Sequence, residues 1–327
     1  HRDLHSFPTR RSSDLQVHLV LEDDRNSSHY LARDATGAPR GATAQWNDDI
    51  HHALHVIATG EADGYYADYA ADPIAALARC LAEGFAFQGE VSPFRGGQPR
   101  GEPSGQLPPG AFVNFLQTHD QVGNRAFGER IGHLAPGPAL QAVSTILLLA
   151  PQPPLIFMGE EFAAHQPFLF FCDFGAELAQ AVTEGRRREF AGFARFADPA
   201  AREAIPDPNA EDTFASCILD WADLDQPPQA AMLAHYRSLL ALRQREIAPR
   251  LAGMAGGARV VRQGQNAFRI QWRLGDGSGL ELSANLGPTD AAAGQPPDGR
   301  ILFTTSTAVP RDCLPPWYAA WHLTEAA

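Results

Sequence analysis

Residues 17–21 form a short apolar run that ends in Glu22-Asp23-Asp24. An apolar stretch of that length closed by acids predicts a buried strand with carboxylates at its C-terminal tip. Asn47-Asp48-Asp49 opens a helix that runs to about Thr59 and is stopped by Gly60; a second helix runs from Pro73 to about Glu83 and is closed by Gly84. Residues 90–110 are dense in Gly, Pro and Ser and predict a long loop. A second apolar strand covers 112–117 and leads into His119-Asp120, and a third covers 154–157 and ends in Met158-Gly159-Glu160-Glu161. Between them, 139–149 read as an apolar helix; a charged helix follows over about 176–193 and another helix over about 230–245.

Strands alternating with helices, each strand ending in polar residues, indicate parallel β/α units. Strand tips that carry Glu, His-Asp and Glu-Glu point to a barrel whose site sits at its C-terminal face. Residues 16–246 hold about four such strands with long insertions, which amounts to half of a barrel that takes roughly 250 residues when complete. From about 247 the pattern changes. Strand-like stretches at 258–274 and 280–285 flank Gly-Asp-Gly-Ser-Gly, a hairpin signal, so 247–327 predict a small antiparallel β domain. The expected fold class is therefore α/β with a β appendage.

Composition narrows the partners. The formal charge of −12 repels phosphate backbones and anionic membranes, so neither nucleic acid nor a membrane is expected as a partner, whereas a neutral sugar is indifferent to that field. Cys80, Cys172, Cys217 and Cys313 stand far apart without C-x-x-C spacing, which suggests neither a disulfide framework nor a zinc site and fits a reducing cytoplasm. No apolar run approaches the ~20 residues of a membrane span. Residues 1–15 are basic and polar; their His1-Arg2-Asp3-Leu4 matches the opening of a protein-kinase catalytic loop, but Pro8 stands where that pattern needs asparagine. They read as a non-native scar and are set aside from the fold.

Hydrolysis of a glycosidic bond with retention uses two carboxyl groups about 5–5.5 Å apart. Glu22 and Asp120, on two tips of one barrel face, are candidates to converge on a substrate, although strand-tip acids also cap helices. Trp46, Tyr65, Tyr66 and Phe94 are candidate platforms for sugar rings; Trp46 is flanked by Asn47 and Asp48, and Phe94 by Arg95. Arg125 either binds substrate or orients a carboxylate through a bidentate pair. His51 and His55 lie four apart with His52 beside them, but no third ligand has metal spacing, so they are expected as polar residues of the helix surface or the substrate side. No metal and no cofactor is expected.

Around these residues the chain resembles the α-amylase superfamily. The segment Leu19-Val20-Leu21-Glu22-Asp23-Asp24 resembles its fifth strand, whose glutamate is the general acid/base. Residues 115–125, with Gln117-Thr118-His119-Asp120-Gln121, resemble the seventh, whose His-Asp pair grips the sugar at the cleavage site. Blocks at 44–55, 64–69, 157–161, 167–174, 205–209 and 219–221 resemble the malto-oligosyltrehalose trehalohydrolases in particular. The resemblance covers about 17–250 and identifies the half-barrel as strands five to eight. It implies Glu22 as acid/base and Asp120 as the second catalytic acid, helped by His119. Gln121, Arg125, Trp46, Asn47, Asp48, Phe94 and Arg95 are the expected substrate-side residues. The implied substrate is maltooligosyltrehalose, cleaved to release trehalose. The family's nucleophile is an aspartate on the preceding strand; nothing of its context precedes Glu22, and Asp14 in Ser-Ser-Asp-Leu does not match. The chain by itself is accordingly expected to be inactive. A glycogen branching enzyme, an α-amylase relative and a non-catalytic sugar-binding fragment are the alternatives.

Overall fold

The computed structural model describes residues 17–192, 194–306 and 312–326. The scar assigned to residues 1–15, Asp14 included, lies outside them. In chain order the strands are β1 (Val20–Leu21), β2 (Ala44–Trp46), β3 (Glu90–Ser92), β4 (Gln98–Arg100), β5 (Phe112–Phe115), β6 (Pro154–Leu155), β7 (Arg259–Arg262), β8 (Ala267–Arg273), β9 (Gly279–Asn285), β10 (Ala291–Ala292), β11 (Arg300–Thr304), β12 (Cys313–Leu314) and β13 (Tyr318–Thr324). The α-helices are α1 (Asp48–Thr59), α2 (Pro73–Glu83), α3 (His119–Gly123), α4 (Ile131–Leu134), α5 (Gly137–Leu149), α6 (Ala176–Glu189), α7 (Pro199–Glu203), α8 (Glu211–Ala215) and α9 (Pro227–Leu242).

The parallel sheet has the order β1-β2-β5-β6. Its register sets Leu21 opposite Gln45, Trp46 opposite Val113 and Phe115 opposite Leu155, so the following residues all emerge at one edge. With its helices this is half of a (β/α)8 barrel. Helix α1 buries Ile50, Ala53 and Leu54, the i, i+3, i+4 stripe of an amphipathic helix, and ends at Gly60 with φ 76°. Helix α2 starts with Pro73 behind Asp72, whose carboxylate accepts from the Ala75 amide at 2.9 Å. At Gly84 the chain must pass against the Phe112 ring: a Cβ there would lie 2.1 Å from its Cζ. Helix α5 is apolar almost all round and lies buried in the centre of the molecule.

A five-stranded antiparallel sheet, β11-β13-β9-β8-β7, follows the helices. One face supplies Phe268, Ile270, Trp272, Leu282 and Trp321 to the same continuous core as α1, α2, α5 and α9. Trp272 stacks on Trp321 at 5.6 Å and donates from its indole to the Leu81 carbonyl of α2 at 3.2 Å. Truncating either indole to alanine would cost about 3–5 kcal/mol, so the sheet braces the half-barrel from outside.

The stretch 90–110 departs from the long loop that its Gly and Pro content predicts. It contains the β3–β4 hairpin, because Gly96 and Gly97, at φ 67° and 78°, supply the left-handed residues of a tight turn. Among the described residues no helix is long and apolar enough to cross a membrane.

Candidate active site

Glu22 is the first residue beyond β1. Asp120 sits in the first turn of α3, immediately after the strand path of β5. A capping box fixes that turn: the Thr118 hydroxyl accepts from the Asp120 amide at 3.2 Å, and the Gln121 side chain accepts from the Thr118 amide at 2.9 Å. Although β2 lies between their strands, the Glu22 and Asp120 side chains come near enough for a hydrogen bond between them to act on the Glu22 carboxyl. That hydrogen bond, helped by partial burial and the Asp120 charge, raises Glu22 above an ordinary glutamate, while His119 pulls the other way. His119 Nε2 lies 3.3 Å from Asp120 Oδ1.

Beside this pair opens a cleft of about 270 Å³. Asp48, Asp120 and Gln121 line it from the strand tips, and Phe94 and Arg95 from the β3–β4 turn. Phe94 is 53% exposed, an aromatic face open to a ligand. Asp68 anchors that turn by accepting from the Ser92 hydroxyl and, at 2.9 Å, from the Phe94 amide. Arg95 pairs with the Asp24 carboxylate, two residues beyond Glu22. Burial pushes Asp48 up to about 6; Arg100 opposes that rise, and Asp49, Asp24 and Glu22 add to it.

Seven of the ten residues singled out from the sequence thus come together: Glu22, Asp48, Phe94, Arg95, His119, Asp120 and Gln121. Trp46 stands behind them, its ring edge-on to Phe115 at 6.0 Å and to His119 at 6.4 Å. Asn47 is not at the cleft. It is fully buried, its amide donating to the Gly84 carbonyl at 2.7 Å and to Asn114 Oδ1 at 3.2 Å, and it makes no side-chain cap. A residue one step past a parallel strand is turned into the layer between strand and helix, which is where this amide ties β5 to the end of α2. Arg125 is also withdrawn: it grips Glu61 bidentately at 2.7 and 2.8 Å and reaches Glu129 at 3.3 Å. Of its two readings, orientation of a carboxylate is the one the structure contains.

The histidines are not a helix surface. His51 is buried and donates from Nδ1 to the Leu116 carbonyl, so its Nε2 accepts from the Tyr66 hydroxyl at 3.2 Å. Burial, reinforced by His55, lowers its pKa to about 3. His55 pairs with Glu61 at 2.8 Å. His52 packs on the rings of Tyr65, Tyr66 and Tyr69 and borders the cleft. Among the described residues no group of three or more His, Cys, Asp or Glu is placed to hold a metal ion.

Residues that sequence reasoning passed over are Asp68, Tyr69 and Arg100, which line the cleft, and Asp49, which is buried beneath it. Asp68 and Tyr69 stand inside the 64–69 block, Gly64-Tyr65-Tyr66-Ala67-Asp68-Tyr69, whose density of aromatic and acidic residues is the available signal. Arg100 carried none.

Residues 255–321 match a family described as a domain of unknown function, DUF3459. A malto-oligosyltrehalose trehalohydrolase of Rhizobium sp. (strain M-11) is 36% identical over 310 residues, 92% of this chain and 49% of the relative. One from Mycobacterium tuberculosis (strain ATCC 25618 / H37Rv) is 40% identical over 230 residues, 70% of this chain and 38% of the relative. A crystal structure of a candidate α-amylase from Salmonella typhimurium superposes with a TM-score of 0.88 at 42% identity, covering 95% of this chain and 52% of that one. The chain belongs to the malto-oligosyltrehalose trehalohydrolase branch of the α-amylase superfamily. It spans about half the length of the curated relatives it matches. For a trehalohydrolase relative, the contact between Glu22 and Asp120 joins the two strand tips that the superfamily resemblance singles out.

Proposed function

We propose that this chain carries the acid/base and sugar-gripping half of a glycoside hydrolase site that cleaves the α-1,4 bond next to the terminal trehalose of maltooligosyltrehalose. The observation that carries the reading is the placement of Glu22 and Asp120 at two strand exits of one sheet edge, beside an open cleft with an aromatic wall. A carboxyl whose pKa is raised by its neighbour is shifted in the direction that a general acid requires. Glu22 donates its proton to the glycosidic oxygen as the C–O bond breaks, and then takes a proton from the water that attacks the sugar. Asp120, steadied by His119, accepts hydrogen bonds from hydroxyls of the ring being cleaved and opposes the positive charge that develops on it. Phe94 offers a face to a sugar ring, and Arg95, Asp48 and Gln121 offer polar contacts along the cleft. Retention requires a second carboxylate as nucleophile; in this reading it belongs to the strand preceding β1, and hydrolysis belongs to a full-length protein containing this chain.

The test is trehalose release from maltotriosyltrehalose, measured for the 327-residue chain and for a full-length protein containing it, each with and without Glu22→Gln. Expected are calorimetric binding of the sugar to the chain, trehalose release by the full-length protein, and loss of release by orders of magnitude in the variant. Release that survives Glu22→Gln would overturn the role of Glu22. Hydrolysis of starch at a comparable rate, or transfer to long glucans, would move the assignment to an α-amylase or a branching enzyme.

A further inference from the structure

Beneath the cleft, one carboxylate gathers more donors than any catalytic scheme asks of it. Asp49, the second residue of α1, is fully buried. Its Oδ2 accepts from the Asn26 side-chain amide at 2.9 Å and from the backbone amides of Ala86 at 2.8 Å and Phe87 at 2.9 Å. Its Oδ1 accepts from the Tyr69 hydroxyl at 2.5 Å and pairs with Arg100 Nη1 at 2.8 Å. Five donors on two oxygens exhaust the acceptor capacity of a carboxylate in plane. An acid this well satisfied is anchored, and so is everything attached to it.

Two of those attachments lead to opposite sides of the cleft. Asn26 lies four residues beyond Glu22, at φ 57°, a left-handed conformation that asparagine tolerates when something holds it there. Arg100 ends β4, the strand that follows the Phe94–Arg95 turn. Its Nε donates to the Asp24 carbonyl at 2.7 Å, two residues beyond Glu22, and its Nη1 donates to the Tyr69 hydroxyl at 2.6 Å. Burial disfavours the Arg100 charge, but Asp49 and Tyr69 more than offset this and hold it protonated. The acid loop and the aromatic wall are thus tied to one buried point, at residues 24 and 26 on one side and at residue 100 on the other.

We propose that Asp49 is the positioning residue of this site: through Asn26 and Arg100 it sets the spacing between Glu22 and the Phe94–Arg95 wall. Asp49 touches no substrate. It acts by holding the loop that carries Glu22 beside Asp120, and by holding the wall across the cleft from it. The proposal rests on the hydrolase reading for the identity of the ligand, but not for the linkage itself.

The experiment is carried out on the 327-residue chain. Glutamates are labelled with ¹³C at the carboxyl, the Glu22 signal is assigned by its loss in Glu22→Gln, and its titration is followed by NMR. Maltotriosyltrehalose affinity is measured by calorimetry. In Asp49→Asn the Glu22 titration is expected to fall back towards an ordinary glutamate, and affinity to drop about tenfold or more. Asn26→Gly cuts the tie to the acid loop, together with the Asn26 bond to the Phe87 carbonyl at 3.3 Å, and leaves Arg100 paired with Asp49; glycine accepts the positive φ, so it keeps the test decisive where Asp49→Asn does not fold, and the same downward shift is expected. Leu147→Ala, in the buried centre of α5, lowers stability without touching the network and should leave the titration where it was. A folded Asp49→Asn or Asn26→Gly chain with unmoved Glu22 titration overturns the proposal. An equal shift in Leu147→Ala would show a general structural effect and overturn it too. Because the titration needs no sugar, it judges Asp49 even where maltotriosyltrehalose does not bind, which would count against the hydrolase reading alone.

Discussion

Glu160 is a buried acid remote from the proposed chemistry, and it sets up a stability test with a predicted change of sign. It follows Gly159, at φ 82°, in the turn after β6, and it is 5% exposed. One oxygen accepts from the Tyr236 hydroxyl at 3.0 Å; the other is buried without a hydrogen-bond partner, and burial raises the acid to about 8 against the Tyr236 hydrogen bond that lowers it. The unfolded chain releases this proton near 4.5. Between those values the folded state binds more protons, so stability falls as pH rises through this window, and the loss is complete only above about 8. At pH 7.5 the penalty amounts to about 4 kcal/mol, and at pH 4.5 it is nearly absent. Glu160→Gln never ionises. It keeps an acceptor for Tyr236 but buries an additional donor, at a cost of about 1 kcal/mol. The variant should therefore be more stable than the parent by about 3 kcal/mol at pH 7.5, a rise in Tm of about 5 °C, and slightly less stable at pH 4.5. Thermal unfolding at both pH values measures the difference directly. A variant whose stability difference from the parent is the same at both values would refute a raised Glu160 and the burial argument with it.

Asp120→Asn removes the carboxylate that raises Glu22, so the Glu22 titration should move down, and maltotriosyltrehalose affinity should fall about ten- to a hundredfold for loss of a charged hydrogen-bond partner; an upward shift would show that Asp120 is not its hydrogen-bond partner. Arg125→Ala strips Glu61 of its bidentate partner and should cost about 1–2 kcal/mol of stability while changing sugar affinity by less than about threefold. A large affinity loss at unchanged Tm would return Arg125 to the substrate.

Sequence pattern alone located the strand tips because a parallel strand must be apolar until it leaves the layer and polar where it does. Glu22 and Asp120 stand at such exits. Asn47 and Asp48 entered together as polar neighbours of Trp46, yet a single step along the chain exchanges the strand–helix interior for the cleft, and no composition signal marks the step. The β2 strand went unnoticed since its three residues, Ala44-Gln45-Trp46, are too short and mixed to register as an apolar run. The β3–β4 hairpin was hidden by the glycines that make its turn.

Partnerships across long sequence gaps were illegible for a different reason. Arg125 meets Glu61 at a separation of 64 residues, and Asp49 meets Arg100 at 51; a charged residue in a lone sequence names neither its partner nor its burial. The distinction has a chemical consequence. The groups placed to touch a ligand can be read from local exits, whereas the groups that fix their distances, Asp49, Asp68 and Arg100, become visible only when the chain is closed. A site reconstructed from exits alone would hold Glu22 and Asp120 at an undetermined spacing, and for two carboxyls, spacing decides whether they share a proton or ionise independently.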